Sequence, residues 1–325
     1  MTSTDSSSAK VPYDLRPRKQ VERRMMLRVF QQMAESGFQI STYRYAGFGG
    51  FFFIDFILFR RFLGINDMVS IEHDTRYEKR VMFNLPFKNI EIVMQPSGAY
   101  IPTLNRDKPH ILWLDYDKPI AEDRLNDIDS AAFILSRGSI LIATFDVDFD
   151  KAQDVRLDGL SSDKRAEAWF GLFRDECGHF LDPTLSLGDF HAGSICSRTI
   201  EVANNAILSG INMRRGFSFE PLFCFRYADG HEMLTIGGII CSKIEKKKLR
   251  QIDWKELDFV RRDFSKDAFQ IDVPVFTPKE RLHIDSNMPC DSNWLPSEFE
   301  IDPNEIQKYL KVFKYCPLYA ELLIR

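Results

Sequence analysis

The sequence predicts an α/β fold: a doubly wound, mostly parallel sheet that ends in an antiparallel hairpin. Three observations predict it. Short β-prone stretches alternate with helical ones, with short links, through about 110 residues. Polar or acidic residues recur where the early strands stop. In residues 219–241, FEPLFCFRYADGHEMLTIGGIIC, two apolar stretches flank an Asp-Gly turn signal, as an antiparallel hairpin requires.

The elements follow in order. Residues 1–14 are rich in Ser and Thr and are expected to be disordered. Residues 15–40 form a basic helix. In it Val21, Met25, Leu27, Val29 and Met33 alternate with Arg23, Arg24 and Arg28, and Gly37 is the stop signal. STYRYAGF is the first strand; FFFIDFILFRRFL is too long for a strand and reads as a buried helix. DMVSIEHD, NIEIVMQ, PHILWLDYD and SILIATFDVDF are the next four strands. TRYEKRVMFNL and IAEDRLNDIDSAAFILSRG are helices among them. The sheet domain spans 41–242 and takes in a helical insertion at 151–215. Residues 243–325 form a C-terminal extension: the charged tract KIEKKKLRQIDWKELDF, a short extended part, and a helix running from Pro303 to the end.

Composition narrows the function. A net charge of -4 and a pI near 5.9 argue against a global electrostatic grip on nucleic acid. No apolar run approaches the roughly 18 to 20 residues of a membrane span, and the N-terminus has no apolar signal core. The six cysteines never fall in a C-x-x-C pair, so they read as reduced thiols of a cytoplasmic protein with no zinc site.

The chemistry concentrates at the strand ends. Gly47, Gly49 and Gly50 sit between the first strand and its helix, where absent Cβ atoms let the backbone approach a ligand at a helix N-terminus. Glu72 closes the second strand, where a carboxylate can accept hydrogen bonds from ribose hydroxyls. Gln95 and Ser97 follow the third strand; Asp115 and Asp117 follow the fourth and are candidates to orient an acceptor or take its proton. With Asp146 and Asp148 they also raise the idea of a bound magnesium ion. Asp55, set among phenylalanines, is expected to face the start of its helix, where the dipole favours a carboxylate. Arg16, Arg18, Lys19, Arg23 and Arg24 would suit the phosphates of an acceptor or partner.

YAGFGG, SIEHD, VMQPSG and LWLDYDKP together resemble the successive signature segments of the class I S-adenosyl-L-methionine-dependent methyltransferases, which share a Rossmann-like fold. The hairpin is similar to that family's antiparallel sixth and seventh strands. The resemblance is nearest to bacterial O-methyltransferases. It implies that Gly47 and Gly49 line the methionine and ribose parts of the cofactor. It also implies that Glu72 binds the ribose, Gln95 and Ser97 lie by the adenine, and Asp115 sits beside the methyl group. Methyl transfer to an oxygen or nitrogen is the implied reaction. Two positions depart from the pattern: Tyr45 stands where the family has an acid, and Phe51 where it has a third glycine. The Pro-Pro signature of amino-directed DNA methyltransferases is absent. Two other readings stay open: a scaffold subunit that keeps the fold and binds a partner protein, and a nucleic-acid-binding module resting on the basic N-terminal helix and KIEKKKLR.

Overall fold

The computed structural model describes residues 16–148, 161–265, 267–291 and 293–317. The expected disorder of residues 1–14 lies outside them. An eight-stranded sheet runs in the order β3-β2-β1-β4-β5-β7-β6-β8. Its strands are β1 (Arg44–Gly47), β2 (Asp67–Glu72), β3 (Ile90–Met94), β4 (His110–Asp115), β5 (Ile140–Asp146), β6 (Ser218–Ala228), β7 (Glu232–Cys241) and β8 (Phe269–Gln270). The first five pair in parallel; β7 runs antiparallel to both β5 and β6. The strand order reverses between β1 and β4, so a crevice opens beyond their carboxyl ends.

Side chains alternate across the sheet and divide the core in two. Tyr45, Ile111 and Trp113 face one cluster, while Ala46, Leu112 and Leu114 face the other. The first cluster is covered by α1 (Pro17–Glu35) and α2 (Ile54–Leu63). The second is covered chiefly by α5 (Glu122–Ile134), α6 (Ser162–Cys177) and α7 (Ile195–Asn212). Between these lie α3 (Glu78–Phe83) and α4 (Ser97–Tyr100). Within the stretch expected as an insertion, α7 lies directly on α5, and a Cβ at Gly210 would meet the Asp129 carbonyl oxygen at 2.2 Å.

The extension carries α8 (Lys243–Arg250), α9 (Pro278–Ser286) and α10 (Pro303–Val312). Leu249, Ile284, Ile306 and Tyr309 from these helices join the same buried cluster as α1. The terminal helix is shorter than the sequence suggests. It stops at Val312, a 3-10 turn spans Phe313–Tyr315, and Pro317 follows, which cannot continue the helical hydrogen bonds. The charged tract KIEKKKLR is an amphipathic surface helix, capped by Ser242 and Glu245.

The basic N-terminal helix is packed into the molecule: Val21, Met25, Phe30 and Met33 are fully buried, and Lys19 and Arg23 are buried with them. Each such apolar side chain contributes about 1.5–3 kcal/mol, which outweighs what an exposed basic face would gain from solvation. Arg18 donates to the Ala228 carbonyl and pairs with Asp229. Lys19 and Arg23 likewise pair within the chain, with Asp115 and Asp55.

Asp229, in the β6–β7 turn, fixes where α1 starts. Its carboxylate accepts from the backbone N–H of Lys19 at 2.9 Å and of Arg18 at 3.3 Å. These are first-turn donors with no intrahelical partner, and a negative charge there is favoured by the dipole. Asp229→Ala should destabilise the protein by about 1–2 kcal/mol in urea denaturation. An unchanged midpoint would show that α1 is held by its apolar face alone.

Candidate active site

A cavity of about 330 Å³ lies at the carboxyl ends of β1–β4. Gly49, Gly50, Glu72, Gln95, Ser97, Asp115 and Asp117 all line it. Of the residues expected to bind the cofactor or act on the acceptor, Gly47 alone does not line it: a Cβ there would meet the Tyr45 hydroxyl at 2.6 Å.

The loop after β1 works differently from the expectation of a backbone bared to a ligand. A Cβ at Gly49 would lie 2.5 Å from Ser70 Oγ and 2.6 Å from the Phe53 ring. The glycine therefore makes room first for the protein's own packing. Gly50 has φ +56°, and Phe53, fully buried, has φ +49°, an uncommon conformation for a bulky residue. The two left-handed residues turn the chain sharply, so the helix begins at Ile54 rather than at Phe51. Phe51 takes the third-glycine position without entering the loop's interior. Its ring packs edge-on against Tyr77 and under the Arg80 guanidinium.

Glu72 ties this loop to β2. Its Oε1 accepts from the Gly50 N–H at 3.0 Å and the Ser70 hydroxyl at 2.8 Å, while Ser70 Oγ accepts from the Gly49 N–H at 3.0 Å. Burial pushes the Glu72 carboxyl above its ordinary range, against the opposing pull of the Ser70 and Gly50 hydrogen bonds. Across the cavity, Asp127 of α5 accepts from Ser97 and, at 2.8 Å, from the Tyr116 hydroxyl. Tyr116 in turn stacks on Phe145.

The far wall comes from α1. Lys19, 1 % exposed, donates to Asp115 at 2.7 Å and pairs with Glu22 at 2.9 Å; its ammonium sits 4.5 Å from the Trp113 ring centroid. Burial opposes the Lys19 charge, yet the Asp115 and Glu22 carboxylates raise its pKa above the ordinary lysine value. Burial likewise works against Asp115, but Lys19 and Arg23 hold its carboxyl below the usual range. Asp115 is thus a fixed anion and a weak base. One turn along, Arg23 pairs with Asp55, and Asp55 also accepts from the Tyr45 hydroxyl at 3.5 Å. Asp55 lies in the first turn of α2, and α1 supplies its partner.

The carboxylates considered for magnesium already have partners inside the chain. Asp115 is neutralised by Lys19, and Asp146 faces His231 at 3.2 Å and the Asp148 N–H at 2.8 Å. Among the described residues no three His, Cys, Asp or Glu side chains gather as metal ligands.

Sequence reading missed Arg23 and Asp55 as site residues, along with Tyr116, Arg124 and Asp127, all of which line the cavity. A signal for α1 existed in Lys19-x-x-Glu22-Arg23, charges at positions that the apolar spacing turns inward.

A family model described as "Putative O-methyltransferase" matches residues 11–324. The chain belongs to this O-methyltransferase family. Together with the sheet order, membership makes it a class I S-adenosylmethionine-dependent methyltransferase. The comparison with curated proteins gives no match. Among solved structures, the methyltransferase is similar to the O-methyltransferase from Bacillus cereus in complex with S-adenosylhomocysteine. Identity is 13 %, coverage is 70 % of this chain and 84 % of that one, and the TM-score is 0.39. It is also similar to the O-methyltransferase of tomaymycin synthesis from Streptomyces achromogenes, at 14 % identity, with coverage of 67 % and 79 % and a TM-score of 0.38. No described helix of the methyltransferase is long and apolar enough to cross a membrane.

Proposed function

We propose that this methyltransferase methylates an oxygen of its acceptor within the cavity beyond β1–β4, with Glu72 receiving the ribose hydroxyls of S-adenosylmethionine. The observation that carries this reading is the convergence of Gly49, Gly50, Glu72, Gln95, Ser97, Asp115 and Asp117 on one cavity at the strand reversal. The chain's groups suit such a ligand: a buried carboxylate acceptor on one side, and a polar pair of Ser97 and Asp127 on the other.

The bound sulfonium supplies an already activated methyl group. What remains for the chain is alignment and, for a hydroxyl acceptor, removal of a proton. Asp115, held ionised by Lys19, contributes a fixed negative charge that orients the acceptor. Asp117, exposed at the mouth, is the carboxylate placed to take the proton. The family's O-methyltransferase description supports oxygen over nitrogen. The six free cysteines support a cytoplasmic setting.

Calorimetric titration with S-adenosylhomocysteine tests the cofactor half. Affinity near micromolar, about 8 kcal/mol, is expected. Absence of heat and of any thermal shift at millimolar ligand would leave the cavity without its assigned occupant.

A further inference from the structure

The family's acid before the glycine loop is Tyr45 here, and Tyr45 is fully buried. Its hydroxyl nevertheless leads to a carboxylate, since Asp55 accepts from it at 3.5 Å. Asp55 is 5 % exposed, lines the cavity, and is paired with Arg23 Nε. Arg23 is 3 % exposed and lines the same cavity. Its Nη1 is buried and has no hydrogen-bond partner.

A buried guanidinium N–H without an acceptor destabilises the fold unless a ligand completes it. An arginine fork matches a carboxylate, and a carboxylate beside it matches an ammonium. We infer that Arg23 and Asp55 form the subsite for the α-amino-acid end of the cofactor: Arg23 Nη1 takes its carboxylate and Asp55 its ammonium. The subsite rests on the cofactor reading above. It gives the charges of α1 a role that neither nucleic-acid binding nor helix solvation explains. It also moves recognition of the amino acid from β1 to two helices, with Tyr45 as the strut between strand and carboxylate.

The test compares two nucleosides by calorimetry: S-adenosylhomocysteine, which carries the amino acid, and 5′-methylthioadenosine, which lacks it. The wild type should bind the first at least about tenfold more tightly. Arg23→Lys keeps a charge facing Asp55 but removes Nη1. It should lose about tenfold or more in affinity for S-adenosylhomocysteine and leave methylthioadenosine binding unchanged. Should that variant fail to fold, Arg23→Met/Asp55→Leu removes both charges together, leaves no buried ion alone, and should bind the two nucleosides equally. Retained preference for S-adenosylhomocysteine in a folded variant overturns the subsite. So does an equal loss for both nucleosides, which would make Arg23 a shaper of the cavity. Equal binding of the two by the wild type removes the subsite and leaves the cofactor reading standing; binding of neither removes both.

Discussion

Glu72→Gln is expected to weaken S-adenosylhomocysteine binding by about ten- to a hundredfold while leaving the ligand-free protein at least as stable as the wild type. The two effects separate because the carboxylate is held against its own desolvation. Burial raises the Glu72 pKa above its ordinary 4.5. Glutamine keeps an oxygen for the Gly50 N–H and the Ser70 hydroxyl, so the loop retains both tethers. It loses the charge that strengthens hydrogen bonds from ribose hydroxyls. The sign of the pH effect follows. A carboxyl whose folded pKa is raised lets the folded state hold its proton longer, so its contribution to stability falls as pH rises from about 4.5 through the raised value. The stability advantage of Glu72→Gln over wild type should therefore be absent in acid and grow across that window. Urea denaturation at several pH values, beside calorimetry at neutral pH, measures both. A variant that binds the ligand normally would take the ribose role from Glu72.

The parts of this picture legible in the sequence are those with local signatures. Strand and helix periods gave the alternation; the Asp-Gly turn marked the hairpin; the acid closing β2 stood at the required place. The loop after β1 was half legible. Glycine at 49 and 50 was visible, but the reason for Gly49 is the Phe53 ring and Ser70, and Phe53's left-handed backbone has no propensity signal. The inward turn of Lys19 and Arg23 was not legible. A run dense in arginine ordinarily reads as a solvated face. What overrides that is tertiary contact, in which the 3-10 turn Phe313–Tyr315 of the C-terminal extension lies against α1. Tertiary cover decides burial there, and the covering residues lie nearly 300 positions away in the chain.

Lys19→Met is expected to cost about 3–5 kcal/mol of stability, the largest single loss in the site. Methionine fills similar volume beneath Trp113 and Tyr227, so the packing term is small. The loss comes from the buried Glu22 and the half-buried Asp115, which lose their shared cation. Glu22, already raised by burial, should take up a proton, leaving Asp115 to bear most of the penalty. The pH dependence checks the assignment. Asp115 has a folded pKa depressed below its ordinary 3.8, so its stabilisation is present above that value and is lost as pH falls through the folded pKa. Lys19 has a folded pKa raised above 10.5, so its contribution is complete below that and fades only as pH rises through the folded value. The wild-type advantage over Lys19→Met should accordingly be full near neutrality and shrink below about pH 3.8. Adding Asp115→Asn to Lys19→Met should recover part of the loss, because the amide needs no counter-ion. A double-mutant cycle would read the coupling as more than about 1 kcal/mol. Strict additivity would mean that Lys19 stabilises α1 through packing alone, and that Asp115 stands ionised in the cavity without it.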